Sequence, residues 1–364
     1  MTRAGMTLKR ATIRAVVVPL RRPIIAGIGR FDQWPLVLVD LEMNDGIVGS
    51  SYLAPYRAAA LPAIVAGLRD LLSGLEGRQV APGDEFETAT HEINVSGLSG
   101  ISLIAASGID MALWDALAKD AGLPLARLLG GTVGPVRAYN SNGLWRHTAS
   151  ALPGEARALI EDGGFTAVKL RLGNEHLRDD LAAIDAVRQG VGFDIDLMVD
   201  FNQALGLGDA IRRCHQLDEQ NLYWFEEPIA YTNVRGYAQL SRSVRTPLQA
   251  GENFYGPTDL LTIMDSVAYA MGDLMRIGGV TGWMRTAGLA AAAGVQFSNH
   301  LYPEFASHLL RVTPTAHWLE WVDWAVPILA TPLEPAAGTI SAPDVPGAGL
   351  EWDERAVAKY AVQV

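Results

Sequence analysis

The chain has 364 residues, 49% of them hydrophobic, and carries a formal net charge of −11 with a pI near 5.1. That size holds a barrel plus a second lobe, and the acidic balance, with no basic stripe to override it, argues against a nucleic-acid partner. One cysteine, Cys214, leaves no disulfide framework and no thiolate metal site.

In chain order, the start from Met1 to Met6 is polar, and the first apolar run, Ala15 to Leu20, is too short for a signal core or a membrane span. No membrane partner is expected, and the cytoplasm is the default compartment. Residues 7 to about 55 read as strands: Thr12 to Val18 is β-branched, and Pro35 to Leu41 turns through Asn44-Asp45-Gly46 into Ile47-Val48. Between them, Ile24 to Trp34 is expected as a Gly-rich loop of the kind that acts as a lid. From about 59 to 130 the pattern is helical, clearest where Ile109, Leu113 and Leu117 recur. Residues 1–130 are therefore expected to form an N-terminal α+β domain.

From Val136 strand and helix alternate to about Glu320. Strands are predicted to begin at Val136, Thr166, Asp196, Leu222, Leu248, Tyr269, Gln296 and His317, with helices such as Leu177 to Gln189 and Thr281 to Ala293 between them. Eight such units make a closed (β/α)8 barrel, expected over 131–325. Residues 326–364 return to turn-rich, strand-like composition and are expected to pack back on the first domain.

Three apolar runs end in carboxylates: Leu197 to Asp200, Trp224 to Glu226 and Gln249 to Glu252. The acids Asp200, Glu226 and Glu252 recur every 26 residues, about one strand-helix unit. Successive parallel strands ending this way bring three acids to one barrel mouth, where they repel one another unless a cation lies between them. Oxygen-only ligands suit Mg²⁺ first and Mn²⁺ second. Alternation places Lys169 and Arg171 on one face of the second barrel strand, and Asn202 on the face of Asp200. Asp273 and His300 lie 27 residues apart, at the ends of adjacent strands; a carboxylate on one imidazole nitrogen raises the basicity of the other. Glu320 ends the eighth strand, where a protonated carboxyl could donate to an oxyanion.

Ala167-Val168-Lys169, Met198 to Gln203, Glu226-Glu227-Pro228, Gly251-Glu252-Asn253, Ile277 to Trp283 and Thr313 to Glu320 together resemble the enolase superfamily, and within it the mandelate racemase group, over nearly the whole chain. The resemblance implies a capping domain completed by the C-terminal segment, a modified barrel, Mg²⁺ on Asp200, Glu226 and Glu252, and a His300–Asp273 dyad. It also implies that Lys169 and Glu320 contact a substrate carboxylate, with Ser141 as a further contact, and that the protein is a homo-oligomer. The shared first step is removal of the proton α to a carboxylate, giving a metal-stabilised enediolate.

Arg171 departs from the group, whose racemases carry a lysine base there. Neutralising an arginine of pKa about 13 near pH 7 costs on the order of 8 kcal/mol at ~1.36 per unit, so one-base chemistry is expected. With His300 alone, the natural outcome is dehydration of an acid sugar to a 2-keto-3-deoxy acid. The composition of the lid leans the same way: Arg30, Asp32 and Gln33, with Tyr56, Arg57, Trp145 and Arg146 on other loops, offer hydrogen bonds to a polyhydroxy acid. Against it, Ile24, Ile25, Ile28, Phe31 and Trp34 offer an apolar pocket. The alternatives are racemisation or epimerisation of an α-hydroxy acid, and a non-catalytic binding protein.

Overall fold

The computed structural model describes residues 5–26, 29–146 and 148–364; Ile28, one of the apolar lid residues, lies outside the described residues. The N-terminal lobe is a three-stranded antiparallel sheet, β1 (Leu8–Ala26), β2 (Gly29–Met43) and β3 (Val48–Leu53), covered by α1 (Leu61–Leu72), α2 (Pro82–Ile93) and α3 (Gly100–Ala121). By length and composition α3 could cross a membrane, but 78% of its most apolar stretch is buried inside the protein. A helix that is hydrophobic all round is a core helix when protein surrounds it.

After the short α4 (Leu125–Leu128), parallel strands alternate with helices: β4 (Pro135–Asn140), α5 (Leu152–Glu161), β5 (Ala167–Arg171), α6 (Leu177–Val191), β6 (Asp196–Asp200), α7 (Leu207–Leu217), β7 (Phe225–Glu226), α8 (Val234–Leu240), β8 (Leu248–Ala250) and α9 (Gly256–Leu261). The series continues through β9 (Tyr269–Asp273), α10 (Leu274–Ile277), α11 (Gly279–Ala293), β10 (Gln296–His300), α12 (Pro303–Leu309) and β11 (Leu319–Trp321). Neighbours pair in chain order from β4 to β10, β11 pairs with β4, and a parallel bridge between Phe297 and Ala316 closes the ring. Strand interiors such as Ala167 to Arg171 are buried throughout, as a parallel sheet under helices requires. Helix α7 turns Ala210, Arg213, Cys214 and Leu217 inward, the spacing of a one-sided helix. The lower barrel is filled by Tyr139, Trp224 and Trp318, whose rings meet edge to face at 5.5 and 6.3 Å.

The final segment serves both lobes. Strand β12 (Thr339–Ser341) pairs antiparallel with β4, while α13 (Glu354–Tyr360) lies on β1. There Trp352 Nε1 donates to Asp40 at 2.7 Å and the Val362 N–H to the Ala15 carbonyl at 2.9 Å. The lobes are also joined through α3: buried Asp110 accepts from the N–H and hydroxyl of Thr281 at 2.9 and 2.5 Å, at the start of α11. The stretch expected to be a lid loop is instead strand-paired. Ile24, Ile25 and Ala26 pair with Phe31, Arg30 and Gly29, so its described residues are the tip of the β1–β2 hairpin. Gly29, one of the glycines that suggested a loop, pairs with Ala26 at the narrow end of two long strands.

Candidate active site

Asp200, Glu226 and Glu252 end β6, β7 and the β8 turn, and each offers an oxygen within 4.8 Å of the others. Local sequence sets each one. Asn202 holds Asp200 with its N–H at 2.8 Å and its side-chain amide at 2.9 Å. Trp224 Nε1 and Gln249 Nε2 donate to Glu226 Oε2 at 3.0 and 2.9 Å, leaving Oε1 to Lys169 at 2.6 Å. Before Glu252, Gly251 takes φ +145°, and a Cβ there would lie 2.0 Å from the Met271 carbonyl, so only glycine lets the chain pass. Burial, partly offset by Lys169, together with Asp200, Glu252 and Glu320 pushes Glu226 up to about 8. Crowded carboxylates of this kind call for positive charge, and an all-oxygen set fits a hard divalent cation.

Lys169 Nζ is the cation at the centre, 2.6 Å from Glu226, 2.9 Å from Glu320 and 3.7 Å from Asp200. Arg171, beside it on β5, is bound differently. Its Nη1 donates to the carbonyls of Ser141, Gly143 and Lys169 at 3.3, 3.0 and 3.2 Å, and its Nη2 to Ser141 Oγ at 2.7 Å. The guanidinium lies 3.8 Å from the centre of the Trp145 ring.

Round the barrel, His300 Nδ1 and Asp273 Oδ2 are 2.6 Å apart, and Asp273 Oδ1 accepts from the Met275 N–H at 3.0 Å. Nε2 is left toward the cavity, 3.4 Å from both Tyr56 Oη and Glu252 Oε2. Burial lowers the basicity of the imidazole, but Glu252, the Asp273 hydrogen bond and Glu320 outweigh it and raise His300 to about 9.

Two expected roles are altered. Ser141 is fully buried, and its hydroxyl lies between Arg171 Nη2 and Glu320 Oε1, at 2.7 Å from each, so it braces Glu320 from behind instead of facing the cavity. Glu320 is held as a carboxylate: burial raises its pKa, but Lys169, His300 and Arg171 carry it well below the usual range. The neutral acid expected from sequence is disfavoured by this company.

The cavity above these groups measures about 410 Å³. Its charged floor is Lys169, Arg171, Asp200, Glu252, His300 and Glu320, and its wall is largely apolar: Ile24, Phe31, Trp34, Tyr56, Trp145 and Trp324. Trp34 and Trp324 pack at 4.5 Å between ring centres, and Trp34 meets Tyr56 at 5.0 Å. Of the polar lid residues, Arg30 and Asp32 pair with each other at 2.7 Å, exposed, and with Gln33 they stay out of the cavity lining. Ile24, Phe31 and Trp34 take the inner face, so the lid presents its apolar side to the site. Sequence reasoning missed Glu227, Asn253, Arg276 and Trp324 as lining residues. For the first three the signal was adjacency to Glu226, Glu252 and Asp273; for Trp324 there was none.

Residues 9–130 match the mandelate racemase / muconate lactonizing enzyme N-terminal domain and residues 151–356 the enolase C-terminal domain-like family. The L-talarate/galactarate dehydratase of Salmonella typhimurium is 31% identical over 324 residues, 88% of this chain and 81% of that protein. A crystal structure of an enolase from the alpha proteobacterium BAL199 with bound magnesium superposes with a TM-score of 0.96 at 46% identity, covering 98% of this chain and 100% of that one. An enolase from Bradyrhizobium, complexed with magnesium and mandelic acid, gives a TM-score of 0.95 at 39% identity, covering 100% of both chains.

Proposed function

The chain belongs to the mandelate racemase/muconate lactonizing enzyme family of the enolase superfamily, and on that premise we propose that it is a one-base, Mg²⁺-dependent dehydratase of a hydroxy-carboxylate. The observation that carries the reading is the inequality of the two basic side chains at the mouth. His300 has one nitrogen tied to Asp273 at 2.6 Å and the other turned to the cavity with only the 3.4 Å approaches of Tyr56 and Glu252, whereas the Nη atoms of Arg171 donate to three backbone carbonyls and a serine hydroxyl.

Asp200, Glu226 and Glu252 would hold Mg²⁺, which when bound would supply positive charge against the negative charge that develops on the substrate. A cation on Glu252 would offset the largest of the charges that favour the imidazolium of His300, so that the neutral ring is available; its Nε2 removes the α-proton, and Asp273 fixes the tautomer and stabilises the imidazolium that forms. Lys169 offers its ammonium to the substrate carboxylate, braced by Glu226 and Glu320. The imidazolium returns its proton to a departing β-hydroxyl, water leaves, and the enol ketonises to a 2-keto acid. The likeness to the L-talarate/galactarate dehydratase supports an acid sugar, with its carbon chain lying along the tryptophan wall. Tyr56 and Trp145 shape the cavity around it, and Asn202 keeps Asp200 aimed.

One observation favours a second reading. The cavity wall of Phe31, Trp34, Trp145 and Trp324 suits an aryl α-hydroxy acid, the type of ligand bound to the Bradyrhizobium protein. Inversion of such a substrate needs a proton acceptor on its other face, which Arg171 does not supply. A Mg²⁺-dependent screen in D₂O against acid sugars and aryl hydroxy acids separates the two. Keto acid from an acid sugar, absent in His300→Ala, supports the dehydratase. Deuterated and inverted aryl hydroxy acid without keto acid supports the racemase and sinks the leading reading.

A further inference from the structure

The two residues after His300 hold a backbone conformation that side chains resist. Leu301 and Tyr302 have φ of +55° and +53°, a region that non-glycine residues occupy when their surroundings over-determine it. Leu301 matters to the site directly: its N–H donates to Glu320 Oε2 at 3.0 Å, while Asn299 Nδ2 holds its carbonyl at 2.7 Å. Tyr302 is held from the other lobe. Its hydroxyl accepts from the Ala54 N–H at 3.1 Å, just past the end of β3, and its ring stacks on that of Tyr52 with centres 4.9 Å apart. Tyr52 in turn donates to Glu304 Oε2 at 2.6 Å, in the first turn of α12. Tyr52, Ala54, Tyr302 and Glu304 are all buried, so a hydroxyl removed here leaves its partner unpaired in the interior. Two residues beyond Ala54, Tyr56 reaches His300 Nε2. The stretch from Tyr52 to Tyr56 thus touches both the imidazole and the turn that follows it.

We propose that Tyr52, Tyr302 and Glu304 form a clamp between the lobes that maintains the left-handed Leu301–Tyr302 turn and so fixes His300 and Glu320 in register with each other. Tyr52 and Tyr302 are positioning residues: neither lines the cavity, and they act through the backbone that carries the base. The clamp gives the capping lobe a part in setting the catalytic geometry, separate from any contact it makes with substrate. The proposal rests on the reading of His300 as the base.

The test uses the full-length Mg²⁺-loaded protein and two readouts, one of them independent of turnover. In Tyr302→Phe, backbone hydrogen–deuterium exchange over residues 299–305 is expected to quicken about tenfold while that over residues 269–273 stays unchanged. In the same variant kcat for α-proton exchange is expected to fall about 30-fold with KM within about threefold, the pattern of a displaced base. Adding Leu301→Gly is expected to restore about fivefold of kcat, because glycine adopts this φ without strain; a variant that had merely loosened the lobes would not be rescued there. Tyr52→Phe, which keeps Tyr302 in place, is expected to show the same pattern more weakly, and carries the test if Tyr302→Phe does not fold. Unchanged exchange over 299–305, or faster exchange with kcat within about twofold, overturns the clamp. Quickened exchange in a protein that enolises no hydroxy acid leaves the clamp standing and rejects the functional reading instead.

Discussion

The two sides of the barrel mouth are built from similar materials to opposite ends. On β10, His300 has a single strong partner, Asp273, and keeps its second nitrogen open to the cavity. On β5, Arg171 is equally buried, but four donor contacts and a tryptophan face tie its head to the barrel wall. What separates a base from a brace here is the number of bonds already made. A neutral imidazole with one nitrogen committed has a lone pair to offer, whereas a guanidinium donating to backbone carbonyls has none.

Removing the open side should have the largest effect. His300→Ala is expected to lower Mg²⁺-dependent α-proton exchange by about 10³- to 10⁴-fold, measured by deuterium incorporation; a loss under tenfold would mean that the base lies elsewhere. Asp273→Asn leaves the imidazole but swaps its anionic partner for an amide, and is expected to cost about 10²-fold in kcat with little change in KM. On the braced side, Arg171→Lys sharpens the contrast. It removes donors from the Ser141, Gly143 and Lys169 carbonyls, so urea unfolding should register a loss of about 2 kcal/mol. Its amine also restores a proton acceptor on the second face, and inverted substrate appearing in this variant alone would confirm that the arginine had blocked racemisation.

A third imidazole tests the electrostatic half of the argument. His308 is buried like His300 but has no carboxylate paired with it among the described residues; it accepts from the Ala126 N–H at 3.2 Å, and burial lowers its pKa to about 4. Between pH 6.5 and 4 the unfolded chain binds a proton here that the folded protein refuses, so stability falls as pH falls through that window. Comparing pH 6.5 with pH 5, His308→Gln should abolish about 1.5 kcal/mol of the acid-induced loss seen in urea melts. The smallest effect is expected at the lid's outer face. Arg30→Ala and Asp32→Ala break an exposed pair worth little and should change kcat/KM by less than about twofold; a larger change would show that the polar side of the hairpin meets substrate after all.

Much of the fold was legible because its signals repeat. A 26-residue interval between strand-end acids survives any uncertainty about where a strand starts, and Asp200, Glu226 and Glu252 do meet. The predicted strand starts at Leu222 and His317 fell short of the observed Phe225 and Leu319, where the strands are only two and three residues long. Side-chain direction was harder to read. Ser141 and Arg30 are polar residues near the mouth, and nothing in their own sequence says that one faces the interior of the wall and the other faces solvent. The β1–β2 register shifts between Pro19 and Ile24, which removes the alternation that would have sorted Phe31 and Trp34 from Arg30 and Asp32. Nor was the charge state of Glu320 readable, since it is set by Lys169, His300 and Arg171 from other strands.

The packing of α13 against β1 bears on the order in which the molecule is made. Arg14 pairs with Glu354, Asp40 with Trp352, and the Ala15 carbonyl with the Val362 N–H, so the edge of the capping sheet is finished by residues more than 300 positions downstream. Contacts of such long range form late, because the loop they close must be paid for in entropy before they return anything. On a ribosome the barrel can assemble strand by strand, each β/α unit docking on the one before it. The lobe that carries Tyr52, Tyr56 and the lid leaves the ribosome before the barrel, but its contacts with Trp352, Glu354 and Val362 can form only after the barrel has followed it out.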